Sequence, residues 1–225
     1  DDRRRCSGLL TRSDPRLDVG RVLNPEACMF RKRGNANLVG VDIGSSSIKV
    51  VEFERTHEGG LKLVRFVREP VLPEAIVDSE IIDRQAVVEA IQNLFEDHSI
   101  RVREVATAVS GRAVIVKRIW MDRLDEADAR EAILWEAEQH IPYDINDVSL
   151  DFQILRSEAG EKQMEVLLVA AKKDMVHQHA DMLREAGLNP EVIDVDAFAV
   201  QNAVMACYDL SPEEVTALID VGAEE

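Results

Sequence analysis

Asp42-Ile43-Gly44-Ser45-Ser46-Ser47-Ile48-Lys49 is the stretch whose reading decides the fold. It follows Leu38-Val39-Gly40-Val41, a short apolar run with the character of a buried strand, so Asp42 falls at a strand's C-terminal tip. Gly44 permits a tight turn there, and the amides and hydroxyls of Ser45, Ser46 and Ser47 can converge on an anion. Lys49 returns on the next strand, where an ammonium can balance phosphate charge. Asp42 is placed to hold a hydrated magnesium ion, which takes one or two carboxylates and keeps several waters. The competing reading is an ordinary hairpin whose serines satisfy their own backbone, and one Asp-X-Gly-Ser does not separate the two.

Outward from this turn the pattern stays regular. Ser47 to Phe53 and Leu61 to Val67 alternate in polarity around Gly59-Gly60, which predicts a three-stranded antiparallel meander. Asp83 is a helix N-cap candidate ahead of Ala86, Val87, Ala90, Ile91 and Leu94, and a strand over 105–109 follows. The next stretch predicts a small α+β unit. It has a strand over 113–119, a helix from Asp125 to Gln139 with Ala127, Ala129, Ile133, Leu134, Ala137 and Ile141 apolar, and strands over 148–155 and 164–171 around the turn 158–161. Pro142 pushes Ile141 out of helical geometry and ends the helix. Asp174 is expected to cap a further helix that Gly187 stops in a left-handed conformation. A strand over 191–195, a helix over 197–207 and a strand over 215–219 complete the series. The last strand delivers Asp220 and Gly222, so strand, carboxylate, X, Gly occurs twice, and two such tips facing one another could grip one nucleotide's phosphates.

Composition bounds the function. The 225 residues are 46% apolar and 31% charged, enough for a sizeable core, and the net charge of −16 disfavours a nucleic-acid partner. The charge is uneven: residues 1–33 hold nine basic and five acidic side chains, net +4, whereas 34–225 hold 18 basic and 38 acidic, net −20. Leu9-Leu10 is the only pair of large aliphatics in the first stretch, short of a secretory signal. The longest uncharged apolar-rich run, 197–208, falls short of the ~20 residues of a membrane span. Cys6, Cys28 and Cys207 have no metal-ligand or disulfide spacing, which suits a reducing compartment. A soluble, cytoplasmic protein is expected. His177 and His179 are two apart on a helix, do not share a face, and read as surface residues rather than a zinc pair. Walker-type and Gly-X-Gly-X-X-Gly loops are absent from the sequence. The acidic residues Glu126, Asp128, Glu131, Glu136 and Glu138 read as a solvated helix face.

The doubled strand-Asp-X-Gly, with Lys49 and a meander then a helix after the first copy, resembles the actin, Hsp70 and sugar-kinase superfamily. Within it, VGVDIGSSSIKVVEF (39–53), ILWEAEQHIPYDINDVSLDFQIL (133–155), VLLVAAKKD (166–174) and DVDAFAVQNA (194–203) are similar to PilM, the actin-like type IV pilus assembly family, over residues 29–225. The resemblance implies an actin-like, ribonuclease H-like α/β subdomain with a mixed sheet over 38–111, and an inserted α+β subdomain at 112–165, placed as in the division protein FtsA. The first subdomain continues over 166–225, and the second half of the fold is expected to be absent, as in an N-terminal fragment. ATP and magnesium are the implied ligands, with Asp42, Gly44, Ser45, Ser46, Ser47, Lys49, Asp220 and Gly222 at the phosphates and Asp42 and Asp220 on the metal through water. The implied role is a cytoplasmic scaffold at the inner face of the inner membrane. It would bind the cytoplasmic N-terminal tail of PilN, and other pilus platform proteins, in a groove between the first subdomain and the insert.

Trp120, Trp135 and Tyr143 are candidate anchors for that peptide, and the simpler expectation is that they pack the insert's own core. Alternative readings are an ATP-dependent kinase or active ATPase of the same superfamily, or an FtsA-like cell-division protein. No carboxylate can be assigned as a catalytic base, so activity beyond a weak ATPase in the full-length protein is not expected, and the fragment is expected to be inactive with negligible ATP affinity.

Met29-Phe30-Arg31-Lys32-Arg33 resembles a family start, which makes residues 1–28 upstream sequence and 1–37 a disordered leader. Deleting residues 2–28 is therefore expected to leave solubility and the thermal midpoint unchanged. A chain that no longer folds after the deletion, read by circular dichroism, would refute that expectation.

Overall fold

Alternation of apolar and polar residues builds the principal sheet. Val39 and Val41, then Ile48 and Val50, are buried on one face of the hairpin formed by β1 (Val39–Ile43) and β2 (Ser47–Arg55). In the computed structural model residues 38–223 are described, apart from 56–60, 78–79, 112–113, 157–161, 209, 212 and 214. The expected leader over 1–37, with its start at Met29, and the turns at Gly59-Gly60 and 158–161 lie outside the described residues. β3 (Leu61–Pro70) completes the meander, antiparallel to β2. β6 (Glu104–Val109) pairs parallel to β1, and β10 (Asn189–Val195) parallel to β6, giving the mixed order β10-β6-β1-β2-β3. Two short strands, β4 (Ile76–Val77) and β5 (Glu80–Ile81), form a separate hairpin that no sequence pattern announced.

Gly40 is required by close approach. A Cβ built on it would lie 2.7 Å from Cγ1 of Val51, its cross-strand partner on β2.

Two helices cover the same face of the sheet. α1 (Arg84–Asp97) starts where Asp83 accepts a hydrogen bond from the Ala86 amide, as expected, and it buries Val87, Val88, Ile91, Leu94 and Phe95. α3 (Lys173–Glu185) adds Met182 and Leu183 to this core, and Gly187, at φ 81°, closes it as the sequence predicted. Asp174 is not its N-cap. The helix begins two residues earlier than expected, at Lys173 with Lys172 at the cap and no side-chain cap bond, so Asp174 lies inside the first turn, where a carboxylate favours the positive end of the helix dipole.

Between β6 and α3 the chain forms a second sheet, with β7 (Val114–Asp122), β8 (Val148–Arg156) and β9 (Gln163–Lys172) in the antiparallel order β7-β9-β8. α2 (Glu126–His140), capped by the Asp125 side chain on the amides of Ala127 and Asp128, covers one face and ends at Ile141. Met164, Val166, Leu168 and Ala170 of β9 pack beneath α2 with Ile119, Met121, Ala129, Ile133 and Ala137. The alternate residues Leu167, Val169 and Ala171 pack instead with Ile193 and Val195 of β10 and with Phe198 of α4 (Asp196–Cys207). Leu134 departs from its expected place and is exposed on α2. No described helix is long and apolar enough to cross a membrane.

His179 departs from expectation as well. It is half-buried on α3, and its Nε2 is hydrogen-bonded at 3.0 Å to the Oγ1 of Thr107, a buried residue of β6. The helix turns this residue toward the sheet, while His177 stays exposed. Burial lowers the His179 pKa from 6.5 to about 4.

Two predictions follow from this packing. Gly40→Ala is expected to lower stability by roughly 1–3 kcal/mol, because Val51 must leave its place on the sheet; chemical denaturation measures it, and an unchanged midpoint would refute the close-contact argument. For His179, the unfolded chain takes up a proton near pH 6.5 while the folded chain does so only near pH 4. Its contribution is therefore full above pH 6.5 and is lost as pH falls toward 4, by about 3 kcal/mol in all. Asp194, whose pKa burial raises, acts in the opposite sense. His179→Gln should flatten the wild-type slope of stability between pH 6.5 and 4, and an unaltered slope would assign that dependence to other groups.

Candidate functional site

The turn between β1 and β2 is held from three sides. The Gly44 amide donates to the Ser47 carbonyl at 3.1 Å, and the Val71 amide, just beyond β3, donates to the Ser46 carbonyl at 3.1 Å. The Ser47 side chain is buried, at 2% exposure, and its Oγ accepts a hydrogen bond from Arg68 Nε at 3.0 Å. Gly44 does not lie in the left-handed region. A Cβ there would lie 3.4 Å from the Ser47 carbonyl oxygen, an ordinary contact distance. The amides of Ser45 and Ser46 have no partner among the described residues. Both residues reach the surface.

Asp42 and Lys49 are cross-strand partners. Lys49 Nζ donates to the Asp42 carboxylate at 2.7 Å, with both side chains exposed, so six of the sequence-predicted residues form one cluster: Asp42, Gly44, Ser45, Ser46, Ser47 and Lys49. Sequence reasoning missed Arg68. Its signal lay in the register of β3, which sets Arg68 opposite Lys49.

Among the described residues no hydrogen bond or ion pair links Asp220 or Gly222 to this cluster. The strand expected over 215–219 does not form: residues 215–222 have no regular secondary structure, and Val215, Ile219 and Val221 are exposed. Among the described residues no neighbouring strand meets their backbone groups, and a lone strand has no hydrogen bonds of its own. Thr216 and Leu218 instead line a groove of about 400 Å3 with Ala197, Gln201, Val204 and Met205 of α4.

Magnesium takes one or two carboxylates and keeps several waters, and the turn offers one accessible carboxylate, Asp42, paired with Lys49 at 2.7 Å; among the described residues no group of three or more His, Cys, Asp or Glu side chains could hold a metal.

A second candidate surface lies on the insert sheet, on the face away from α2. Val116, Arg118 and Trp120 of β7 stand opposite Val169, Leu167 and Glu165 of β9. Trp120 is 53% exposed and Val116 is also exposed, so Trp120 does not pack in the insert's core as expected. Trp135 departs in the same way, at 73% exposure on the outer side of α2. The helix buries small residues, Ala129 and Ala137, against the sheet and leaves no room there for an indole. Tyr143 alone packs against the insert core, with Lys172 Nζ 4.4 Å above its ring.

A sequence-family model described as type IV pilus assembly protein PilM matches residues 40–225. The chain belongs to the PilM family. Among solved structures, a PilM–PilN type IV pilus biogenesis complex contains a chain 30% identical to this one, with a TM-score of 0.68 over 77% of this chain and 52% of its own length. The cytoplasmic domain of EpsL, an inner-membrane component of the type II secretion system of Vibrio cholerae, is 14% identical with a TM-score of 0.48, over 73% of this chain and 59% of its own. The PilM-family chain thus spans about half the length of the solved PilM chain. The mixed α/β fold with a mixed sheet, expected from the family resemblance, is the fold of this family. The matched range contains both the Asp42 turn and the segment bearing Asp220.

Proposed function

We propose that this chain acts in type IV pilus assembly as a cytoplasmic, actin-like, ATP-binding scaffold at the inner face of the inner membrane, and that it binds the cytoplasmic N-terminal tail of PilN. The observation that carries this reading is the 30% identity, over 77% of the chain, with a protein solved in a PilM–PilN complex. In this reading the phosphates of ATP lie against Gly44, Ser45 and Ser46, with Ser47 buried behind them, Lys49 as counter-charge and Asp42 holding magnesium. The metal would supply positive charge against the phosphates. The chain's own contribution is a rigid turn, pinned through Ser46 and Ser47 to the end of β3, that presents amides without rearrangement. The role proposed is binding rather than chemistry.

The PilN tail is assigned to the face of the insert sheet that carries Trp120 and Val116. Exposed large apolar side chains beside a polar rim mark interaction surfaces, and an extended peptide laid across a sheet face offers alternate side chains to them. Calorimetry of the chain with a synthetic PilN-tail peptide tests this. Trp120→Ala is expected to weaken binding at least about tenfold, or ~1.4 kcal/mol, while Trp135→Ala, on the far side of α2, leaves it unchanged. Absence of binding, or a Trp120→Ala protein that binds as tightly as wild type, would overturn the assignment.

A further inference from the structure

Lys49 and Arg68 stand directly opposite one another on β2 and β3. Two cations in that relation repel and cost stability unless an anion lies between or beside them. The pair is not symmetric. The Asp42 carboxylate already balances Lys49 at 2.7 Å, whereas Arg68 has no acidic partner among the described residues. Its one side-chain hydrogen bond runs from Nε to the buried Oγ of Ser47 at 3.0 Å. That bond fixes the guanidinium at the turn, and its two terminal nitrogens, in the planar fork that matches two oxygens of a phosphate, have no partner among the described residues. Beside it are the unpartnered amides of Ser45 and Ser46. Residues 34–225 carry a net charge of −20, so a fixed, uncompensated arginine at this spot stands out against the field of its own molecule.

We propose that Arg68 is the principal cationic anchor of the β1–β2 turn, binding a phosphate oxygen pair of a polyphosphate ligand together with the Ser45 and Ser46 amides, and that Lys49 serves chiefly to hold Asp42. This rests on the reading of the turn as a phosphate site and assigns within it a residue that the Asp-X-Gly motif does not contain. Ser47 is a positioning residue, acting on the ligand through Arg68.

The probe is inorganic tripolyphosphate at millimolar concentration, added to the whole chain, with the thermal midpoint and the backbone amide resonances of Ser45 and Ser46 as readouts. Wild type is expected to gain a few degrees and to shift both resonances. Arg68→Gln is expected to lose both responses, each read against its own ligand-free baseline, because the substitution also removes the partner of the buried Ser47 hydroxyl. Arg68→Lys should recover only part of the shift, because it restores the charge without the fork. Arg118→Gln, which removes the same charge from the exposed insert sheet, should respond as wild type does. If Arg68→Gln responds like wild type, the assignment of Arg68 is wrong and the phosphate reading of the turn stands. If wild type shifts neither resonance, both are wrong, and a gain in midpoint without those shifts would mean binding to the basic residues of 1–33 instead.

Discussion

β9 is the strand on which the architecture turns, because its two faces belong to two different cores. Its even-numbered residues from Met164 to Ala170 lie under α2, and the odd-numbered Leu167, Val169 and Ala171 lie against β10 and α4. A slip of one residue would exchange the two sets and empty both cores at once, so register here is specified from both sides. That constraint also fixes β7, whose pairing with β9 runs unbroken from Val114 to Asp122. Trp120 stands opposite Glu165 on this edge strand and is exposed. The same apolar contact that attaches the insert to the principal sheet thereby sets the register of the strand whose surface is assigned to a peptide.

Polar contacts at the β1–β2 turn work against that apolar background. Asp42 and Lys49 are solvent-accessible, so their 2.7 Å pair contributes little to stability. Its consequence is local: it fixes the direction of a carboxylate and removes one positive charge from the field felt by an incoming anion. Ser47 contributes differently. A hydroxyl at 2% exposure must be hydrogen-bonded to avoid a desolvation cost, and Arg68 meets that requirement. A residue whose hydroxyl the sequence offered to an anion proves to be the one that ties β3 to the turn.

Most of the fold was legible because period-two alternation and helix caps are local signals. Asp83 and Asp125 cap helices where the sequence placed them, and the meander, the insert's strands and the parallel partners β6 and β10 follow the expected runs. Legibility failed where the outcome depends on what lies across space. His179 reads as an exposed helical histidine until the helix is turned against Thr107. Leu134 and Trp135 read as core members because they are apolar, yet the surface between α2 and its sheet is filled by Ala129, Ile133 and Ala137. Arg68 carries no motif at all, and its relation to Ser47 exists only through a hairpin register that shifts further along, between Glu52 and Phe53.

The segment 215–222 shows the same limit in its plainest form. Val215, Ala217, Ile219 and Val221 alternate with Thr216, Leu218 and Asp220 as a strand should. Alternation states which side chains would share a face; it does not supply the neighbour whose amides and carbonyls a strand requires. The described sheet ends at β10 on one side and β3 on the other, and the segment pairs with neither. It keeps the extended pattern's sidedness nonetheless, laying Thr216 and Leu218 along α4 while Ile219 and Val221 face solvent. A carboxylate carried by such a segment has no fixed direction, because a strand tip is fixed by the ladder on its two sides. Asp42 is paired with Lys49 on β2, and its strand is paired with β6 as far as Val41, whereas Asp220 has no such ladder. The two Asp-X-Gly copies are alike in sequence and unequal in structure for this reason, and it makes the first copy, with Arg68 beside it, the part of the site whose chemistry can be read from this chain.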